Sequence, residues 1–545
     1  MRKNSCRRVR KISDKFPDAA LDVTRQSLRR LKNFIQEILP IKDDLSLIIS
    51  DLRKVAAPKE QPFLFTTNID DNEALLRNMF ERCDDVKYRR FQYGNRRVLL
   101  IFLHGMADTI LLEKSVLDSL LSPYQKQELP DNAEDIVRNL LTSVNVTIVT
   151  KAREAIQGVL TGNALLAIDG LADVIIVGAI KHVKRSIEQP VADGVIRGPQ
   201  DAFNETITDN IVLLRRRARD TELKVVLREV GVRSQTSVAI VYVANLVKPG
   251  LVEEIERRMN NIRVDKLLSS TALEEMLIDH PWTPFPQIHD TERPDKIIAA
   301  IYEGRVGILV DNTPFALMLP VTFSTLIQSP EDYTTQAVVT SLIRLTRIFN
   351  SFIAIFLPAI YIGAVSYHPG MLPSTLAISI AELRTKTPFP SFLEALIMES
   401  LLEIFQEAIT RLPQKIAGAA GVVGALVIGT TVVQANLVNP LLVVVTAVTA
   451  LASFSMPSFS FAMALRFLRI PMLVLAATLG LYGVVMGFIG LVIHLCSLRS
   501  FGESFAGGLF NITLVEDWKD TLIRVPMNFL RSRPKTFGPQ DRTRR

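Results

Sequence analysis

Hydrophobic positions change character along the 545-residue chain. From about residue 62 to 305 they come in short β-rich runs, at 98–103, 164–168, 174–177 and 238–243, set off by turn-forming Tyr93-Gly94-Asn95 and Asp169-Gly170. Charged stretches with helical spacing, such as 131–141 and 251–261, alternate with them. This pattern predicts mixed sheets covered by helices, in two α/β subdomains spanning 61–190 and 191–305. Gln189-Pro190 and Arg197-Gly198-Pro199 punctuate the junction. After Pro199, Phe203, Ile207, Ile211 and Leu214 recur at helical spacing, with Asp201, Glu205 and Asp209 early and Arg215, Arg216 and Arg217 late. Acids first and bases last suit the helix dipole, as in any well-formed surface helix. Three consecutive arginines also point in three directions and are candidates for contact with a neighbouring subunit or lipid headgroups.

Beyond residue 305 the apolar runs lengthen. Residues 349–367, 416–438, 441–456 and 471–495 are long enough, or nearly so, for a bilayer core of about 30 Å. Asn439-Pro440 is so short a break that the second and third runs are expected to form a tight helical hairpin, while Pro457 and Pro471 bracket an expected loop carrying Arg466 and Arg469. Residues 308–328 are apolar enough to enter a membrane, but Asp311, Pro314 and Pro320 interrupt any simple helix, so a broken or re-entrant span and coupling hinge is expected there. Residues 389–412 are amphipathic, with Glu399, Glu403 and Glu407 at i, i+4 and i+8 followed by Arg411. The expectation is an α/β soluble N-terminal domain of two subdomains, followed by an α-helical polytopic membrane domain (306–496) of four to six spans.

Composition sharpens this division. With 48% hydrophobic and 22% charged residues and a mean hydropathy of +0.24, apolar and polar residues must be segregated. Cys6, Cys83 and Cys496 are too far apart in sequence to suggest a disulfide framework or a Cys-x-x-Cys site. The net charge of +7 is concentrated at the ends: residues 1–60, read as a basic flexible arm, carry 15 Lys/Arg against 8 Asp/Glu, and the tail 497–545 carries 9 against 5. A near-neutral body with two basic ends fits both termini on the inner membrane face, hence an even number of spans, and not a nucleic-acid footprint. No apolar run follows the basic N-terminus as a cleaved signal would require.

Catalytic motifs are missing: there is no His-Glu-x-x-His, no Gly-x-x-x-x-Gly-Lys-Ser/Thr and no Gly-x-Ser-x-Gly, and the six histidines are dispersed. No enzyme, metal or cofactor is expected. Ala417, Gly421, Ala425 and Gly429 fall at four-residue spacing inside an apolar run, and Gly483 and Gly487 repeat the pattern. Such stripes allow close backbone approach within a subunit or between subunits, or line a pore. The stripe of Glu399, Glu403 and Glu407 is either a solvated face tied to Arg411 or, repeated around a ring, a cation-attracting mouth.

Several long, irregular stretches resemble the A subunit of the GerA-type spore germinant receptors. They are DGVIRGPQDAFNETITDNIVLLRRR (193–217), ILVDNTPFALMLPVTF (308–323), QSPEDYTT (328–335), LPAIYIGAVSYHPGMLPSTL (357–376), PFPSFLEALIMESLLEIFQEAITRLP (388–413) and GVVGALVIGTTVVQANLVNP (421–440). Thr334 stands where the family usually has a second Tyr, and Thr430 where Gln is common. The resemblance implies a multi-pass protein of the spore inner membrane with its N-terminal domain on the core side. It further implies assembly with a transporter-like B subunit and a lipoprotein C subunit, ring-like homo-oligomerisation, and an ion-conducting role in germination. A related stand-alone channel paralogue, a secondary transporter or a scaffold subunit are the alternatives. A transporter would carry inverted repeats with matching midplane charges, and the sequence displays none.

Overall fold

The computed structural model describes residues 64–121, 130, 132–143, 145–181, 190, 193–195, 197–507, 518–521 and 523–544. The arm at 1–60 and Gln189 lie outside these. Two five-stranded sheets share one plan. In the first, α1 (Ile69–Met79) precedes β1 (Val86–Tyr93) and β2 (Arg96–Leu103); β3 (Val146–Val149), α2 (Ala152–Leu160), β4 (Ala164–Ile168) and β5 (Val174–Val177) follow, in the order β1-β2-β4-β5-β3. In the second, α3 (Ile207–Arg217) precedes β6 (Leu223–Val230) and β7 (Thr236–Val243). Then come α4 (Leu251–Asn261), α5 (Ser270–Leu277), β8 (His289–Thr291), α6 (Pro294–Ile301), β9 (Val306–Val310) and β10 (Ala316–Leu319), ordered β6-β7-β9-β10-β8.

All ladders within these two sheets are antiparallel, where mixed sheets were expected. The helical crossover from β3 to β4 skips one strand position, which β5 fills by pairing with both; β10 does the same between β8 and β9. Strands that a parallel-sheet reading would make neighbours are thereby separated.

The duplication extends to side chains. Ile69, Asp71, Asn72, Leu76 and Arg77 recur as Ile207, Asp209, Asn210, Leu214 and Arg215. Buried Asn72 donates from Nδ2 to the Thr66 carbonyl (2.7 Å) and accepts the Thr66 N–H (2.8 Å); Asn210 does the same with Asn204 (2.6 and 2.8 Å). Asp169, after β4, accepts the N–H of Ile69 at the start of α1 (3.3 Å), and Asp311, after β9, accepts that of Ile207 at the start of α3 (3.0 Å). The next residues, Gly170 and Asn312, both adopt positive φ (90° and 65°), a conformation that Gly and Asn tolerate best.

Two sequence expectations are corrected here. The helix after Pro199 begins at Ile207, so Asp201 and Glu205 precede it. Residues 308–328 do not enter a membrane: they form β9, a turn, β10 and the short helix Phe323–Ile327, and the expected boundary at 305 falls inside the second sheet. Every residue of β9 and β10 is buried, and a strand covered on both faces reads as a continuous apolar run. Asp311, Pro314 and Pro320 therefore belong to the second sheet's turn and exit, not to a membrane hinge.

The helical region comprises α7 (Ala337–Tyr367), a helix at Ser374–Arg384, α8 (Ser391–Arg411), α9 (Gln414–Leu426), α10 (Pro440–Phe454) and α11 (Phe459–Ser497). α7 and α11 are long and apolar enough to cross a membrane. Asn439 caps α10 by accepting the Leu441 N–H (2.9 Å), with Pro440 at the first helical position. The expected loop between Pro457 and Pro471 is instead the start of α11, and the expected span at 471–495 is interrupted at Gly480 (φ 62°, ψ −145°). Gly487 lies against Met472 and Leu475. In a straight helix residues 472 and 487 would stand about 22 Å apart, so the two arms of α11 fold back on each other. Gly363 of α7 packs on the reversal at Gly480–Leu481.

Past α11, Phe501 enters the core of the second sheet, Arg533 donates to the Tyr302 carbonyl (2.7 Å) and Gln540 to that of Val247 (2.8 Å). These described residues of the basic tail are thus packed on the α/β region. The chain enters the helical region from the second sheet and returns to that sheet after it.

Candidate coupling site between the sheets and the helices

The connection from β10 to α7 is built around Asp332. Ser329 caps the 3-10 turn Pro330–Tyr333, its N–H donating to the Asp332 carboxylate (3.2 Å), which places that carboxylate, 2% exposed, over the first turns of α7. Arg344 donates to it from Nε (2.9 Å) and Arg347 from Nη1 (2.9 and 3.0 Å). Arg344 is fully buried and also bonds the carbonyl of Asp520, whose carboxylate accepts the Tyr333 hydroxyl (3.2 Å). Arg524 reaches the carbonyls of Thr335 and Tyr333. Arg344 and Arg347 face the two aspartates and buried Arg524 lies beside them, so the arginines outnumber the acids in this low-dielectric cluster, and each charged side chain has hydrogen-bonding partners. Burial, reinforced by Glu303, pushes the Asp520 carboxyl up, against the pull of Arg344 and Arg544. Burial likewise raises the Tyr333 hydroxyl, keeping it a donor. Linker, α7 and C-terminal residues meet in this one clasp.

Beside it lies a cavity of about 730 Å³, lined by His289, Lys296, Tyr302, Arg305, Tyr333 and Arg533 among others. Burial, then the charge of Lys296, brings the His289 imidazole down to about 3, so it is neutral. Arg305 pairs with Glu303 (2.8 Å) and lies over the Phe537 ring (4.7 Å). Among the described residues no group of three or more His, Cys, Asp or Glu is placed to hold a metal ion.

The residues singled out in the sequence are dispersed. Glu399 does not join an open acidic face: it is buried against Arg469 (2.5 Å), which also donates to the Ala354 carbonyl of α7 (2.9 Å). Glu403 is exposed, 3.8 Å from Arg466, and exposed Glu407 pairs with Arg411 (2.5 Å). The stripe is divided because the first arm of α11 brings its arginines against α8. Arg215 is buried within the chain, where it pairs with Asp85 (2.7 Å). Arg216 donates to the Lys181 carbonyl (3.1 Å), and Arg217 pairs with Asp201 (2.5 Å). Gly483 and Gly487 pack within the α11 hairpin, whereas Gly421 and Gly429 have no neighbouring atoms where a side chain would begin. Ala417 is half-buried, and the side chain of Ala425 lies outside the described residues.

Asp332, Arg344, Asp520 and the pairing of Arg469 were missed. Ser329 and Asp332, three apart around Pro330, carry a capping-box signal, and a charge inside an apolar helical run is itself a pointer to function or to a buried partner.

A family model described as Bacillus/Clostridium GerA spore germination protein matches residues 74–536. Spore germination protein B1 of Bacillus subtilis (strain 168) is 36% identical over 483 residues, covering 88% of this chain and 99% of that protein. Spore germination protein GerLA of Bacillus cereus is 37% identical over 450 residues (82% and 90%). The Uncharacterized membrane protein YfkQ of B. subtilis (strain 168) is 35% identical over 474 residues (86% and 91%). A crystal structure of the N-terminal domain of the A subunit of the Bacillus megaterium spore germinant receptor GerK3 is similar with 27% identity and a TM-score of 0.39, covering 48% of this chain and 99% of that one.

Proposed function

The chain belongs to the Bacillus/Clostridium GerA spore germination protein family, and we propose that it is the A subunit of a nutrient germinant receptor in the spore inner membrane, acting as the oligomeric, ligand-gated cation channel element. Its partners in this reading are a transporter-like B subunit, a lipoprotein C subunit and further copies of itself, with the two sheets on the core side. The observation that carries the reading is the clasp at Asp332. It links the connection that leaves the second sheet, the first turns of α7 and the C-terminal residues, so a change in the sheets is transmitted to a helix suited to the membrane. The exposed carboxylates Glu403 and Glu407 supply the cation-attracting charge, while Glu399 holds the helices together.

The test is nutrient-triggered potassium release from spores that lack the protein, or carry Glu403→Gln with Glu407→Gln, at matched protein levels. Loss of the response in the first and slower release in the second are expected. Unchanged release in spores lacking the protein, with other receptors removed, would overturn the assignment; unchanged release in the double variant would remove the two carboxylates from it.

A further inference from the structure

Trp282 is 98% exposed, on a loop that the structure otherwise holds firmly. Gln287, itself buried, accepts the N–H groups of Asp279 (3.1 Å) and His280 (3.0 Å) and donates to the His280 carbonyl (2.7 Å). Thr283, the next residue after the tryptophan, meets His494 Nε2 at 2.9 Å. Phe285 lies among Phe461, His494 and Phe505, with ring centroids 5.9 to 6.3 Å away. Phe461 is in the first turn of one arm of α11 and His494 in the last turn of the other. The loop is therefore fixed to both arms where they meet the α/β region.

A single exposed apolar side chain is ordinary on a protein surface. Trp282 differs in its placement. Phe459 and Ile493, at the same ends of the two arms, are also exposed, so the outward apolar surface of α11 runs down to the level of this loop. Arg499, the first charged residue after α11, is exposed; it and His280 line one shallow cleft. An exposed indole two residues from a cleft that holds the Arg499 cation, on a loop fixed to the ends of an apolar helix, matches the chemistry of the bilayer interface. The ring is favoured at headgroup depth, and the cation faces lipid phosphate.

We propose that the loop at Trp282 is a membrane-interface anchor: its indole inserts at the headgroup level of the leaflet facing the sheets, with Arg499 on lipid phosphate. The anchor fixes the height of the second sheet relative to the bilayer. This rests on the reading that α7 and α11 lie in a membrane.

The chain has two tryptophans, so Trp518→Phe leaves Trp282 as the only indole reporter. Trp518 has a buried indole N–H with no partner, so its loss leaves no acceptor unmatched. The full-length variant is placed in phosphatidylcholine–phosphatidylglycerol vesicles, checked for co-flotation after alkaline carbonate, and read by tryptophan emission. The expected result is a blue-shifted band that loses most of its intensity with lipids brominated near the headgroup and less with lipids brominated near the methyl end. Arg499→Gln should weaken the quenching in anionic vesicles. A red emission band quenched by aqueous iodide but not by brominated lipid overturns the anchor while leaving the membrane reading intact. Protection from both quenchers also overturns it, since protein then covers the indole. Failure to co-float overturns the membrane reading and the anchor together.

Discussion

Arg215 and Asp85 form a two-pronged ion pair, with Nε and Nη2 of the guanidinium 2.7 and 2.8 Å from the two carboxylate oxygens. Both side chains are almost wholly buried, and the pair joins the two sheet-bearing halves. The third guanidinium nitrogen donates to the Leu223 carbonyl (2.8 Å), and neighbouring Asp84 bonds the edge strand β6 through its backbone (2.9 Å) and side chain (2.8 Å). Burial alone would lower the guanidinium's proton affinity, but Asp85 more than offsets it, so the arginine stays charged. Arg77, its counterpart in the first repeat, is exposed and pairs within its own helix with Glu73 (2.7 Å). The duplicated position holds the halves together in one copy only.

Arg215→Met therefore strands a buried carboxylate, and the expected loss is about 3–5 kcal/mol. Arg77→Met should cost less than about 1 kcal/mol, as for an exposed pair. The combined Arg215→Met and Asp85→Leu variant should recover most of the first loss. Denaturant unfolding of the full chain in detergent measures all three. Equal, mild effects of the two single changes would show that the buried pair does not set the joint.

The clasp makes a different prediction. Arg344→Met removes the guanidinium that bridges Asp332 and Asp520 and leaves Asp332 to Arg347 and Asp520 to the more distant Arg544. The C-terminal residues 523–544 should detach from the linker, becoming cleavable by trypsin several-fold faster, while the α/β core stays resistant. In spores the same variant should assemble but respond poorly to nutrient. A cleavage pattern indistinguishable from that of the unaltered chain would argue against the clasp.

Much of the architecture was legible in the sequence because short β-rich runs set off by turn residues, and charged stretches with helical spacing, mark different elements. The strands at 98–103, 164–168 and 238–243, and helix α4, stand where those runs put them. The failures share a physical origin. β9 and β10 are covered on both faces, so their apolarity mimicked a membrane segment. Gly480 reverses α11 without any break in hydrophobicity, because a single glycine at positive φ needs no polar neighbours to turn the chain. Glu399 looked like part of a surface stripe because its partner Arg469 is 70 residues away and visible only once α11 packs on α8. The repeat is readable in the sequence itself, since Ile-x-Asp-Asn-x-x-x-Leu-Arg occurs at both 69–77 and 207–215.

The glycines separate packing within a chain from packing between chains. A Cβ on Gly480 would lie 2.9 Å from that of Tyr367, and its φ of 62° disfavours any other residue. Gly480→Ala should therefore lower the yield of folded protein in detergent. In Gly421→Ala and Gly429→Ala the added Cβ meets no neighbouring atoms of the same chain, and these variants should leave the folded monomer unchanged. If that stripe faces another copy, they should shift the size-exclusion profile of the assembled protein to smaller species. An unchanged profile would exclude close packing there.

The last expectation concerns pH. Glu274, on α5, is pushed up to about 8 by burial and then by the charge of Asp290, against an ordinary value of 4.5. Asp290, next to Ser460 of α11 (3.4 Å), is itself raised by burial. Between about pH 4.5 and 8 the folded chain keeps a proton on Glu274 that the unfolded chain has released, so folding loses stability as pH rises through this window. Below it both states are protonated and no penalty applies; above it the penalty is complete, on the order of a few kcal/mol. Glu274→Gln mimics the protonated form at every pH. The variant should match the unaltered chain near pH 4.5 and exceed its melting temperature increasingly toward pH 8. Because Asp290 abuts α11, the shift should also be felt at the junction with the helices, as weaker protection of the Asp290 and Ser460 amides from hydrogen exchange at pH 8 than at pH 5. A constant difference in melting temperature across that range would mean that Glu274 is ionised in the folded protein throughout.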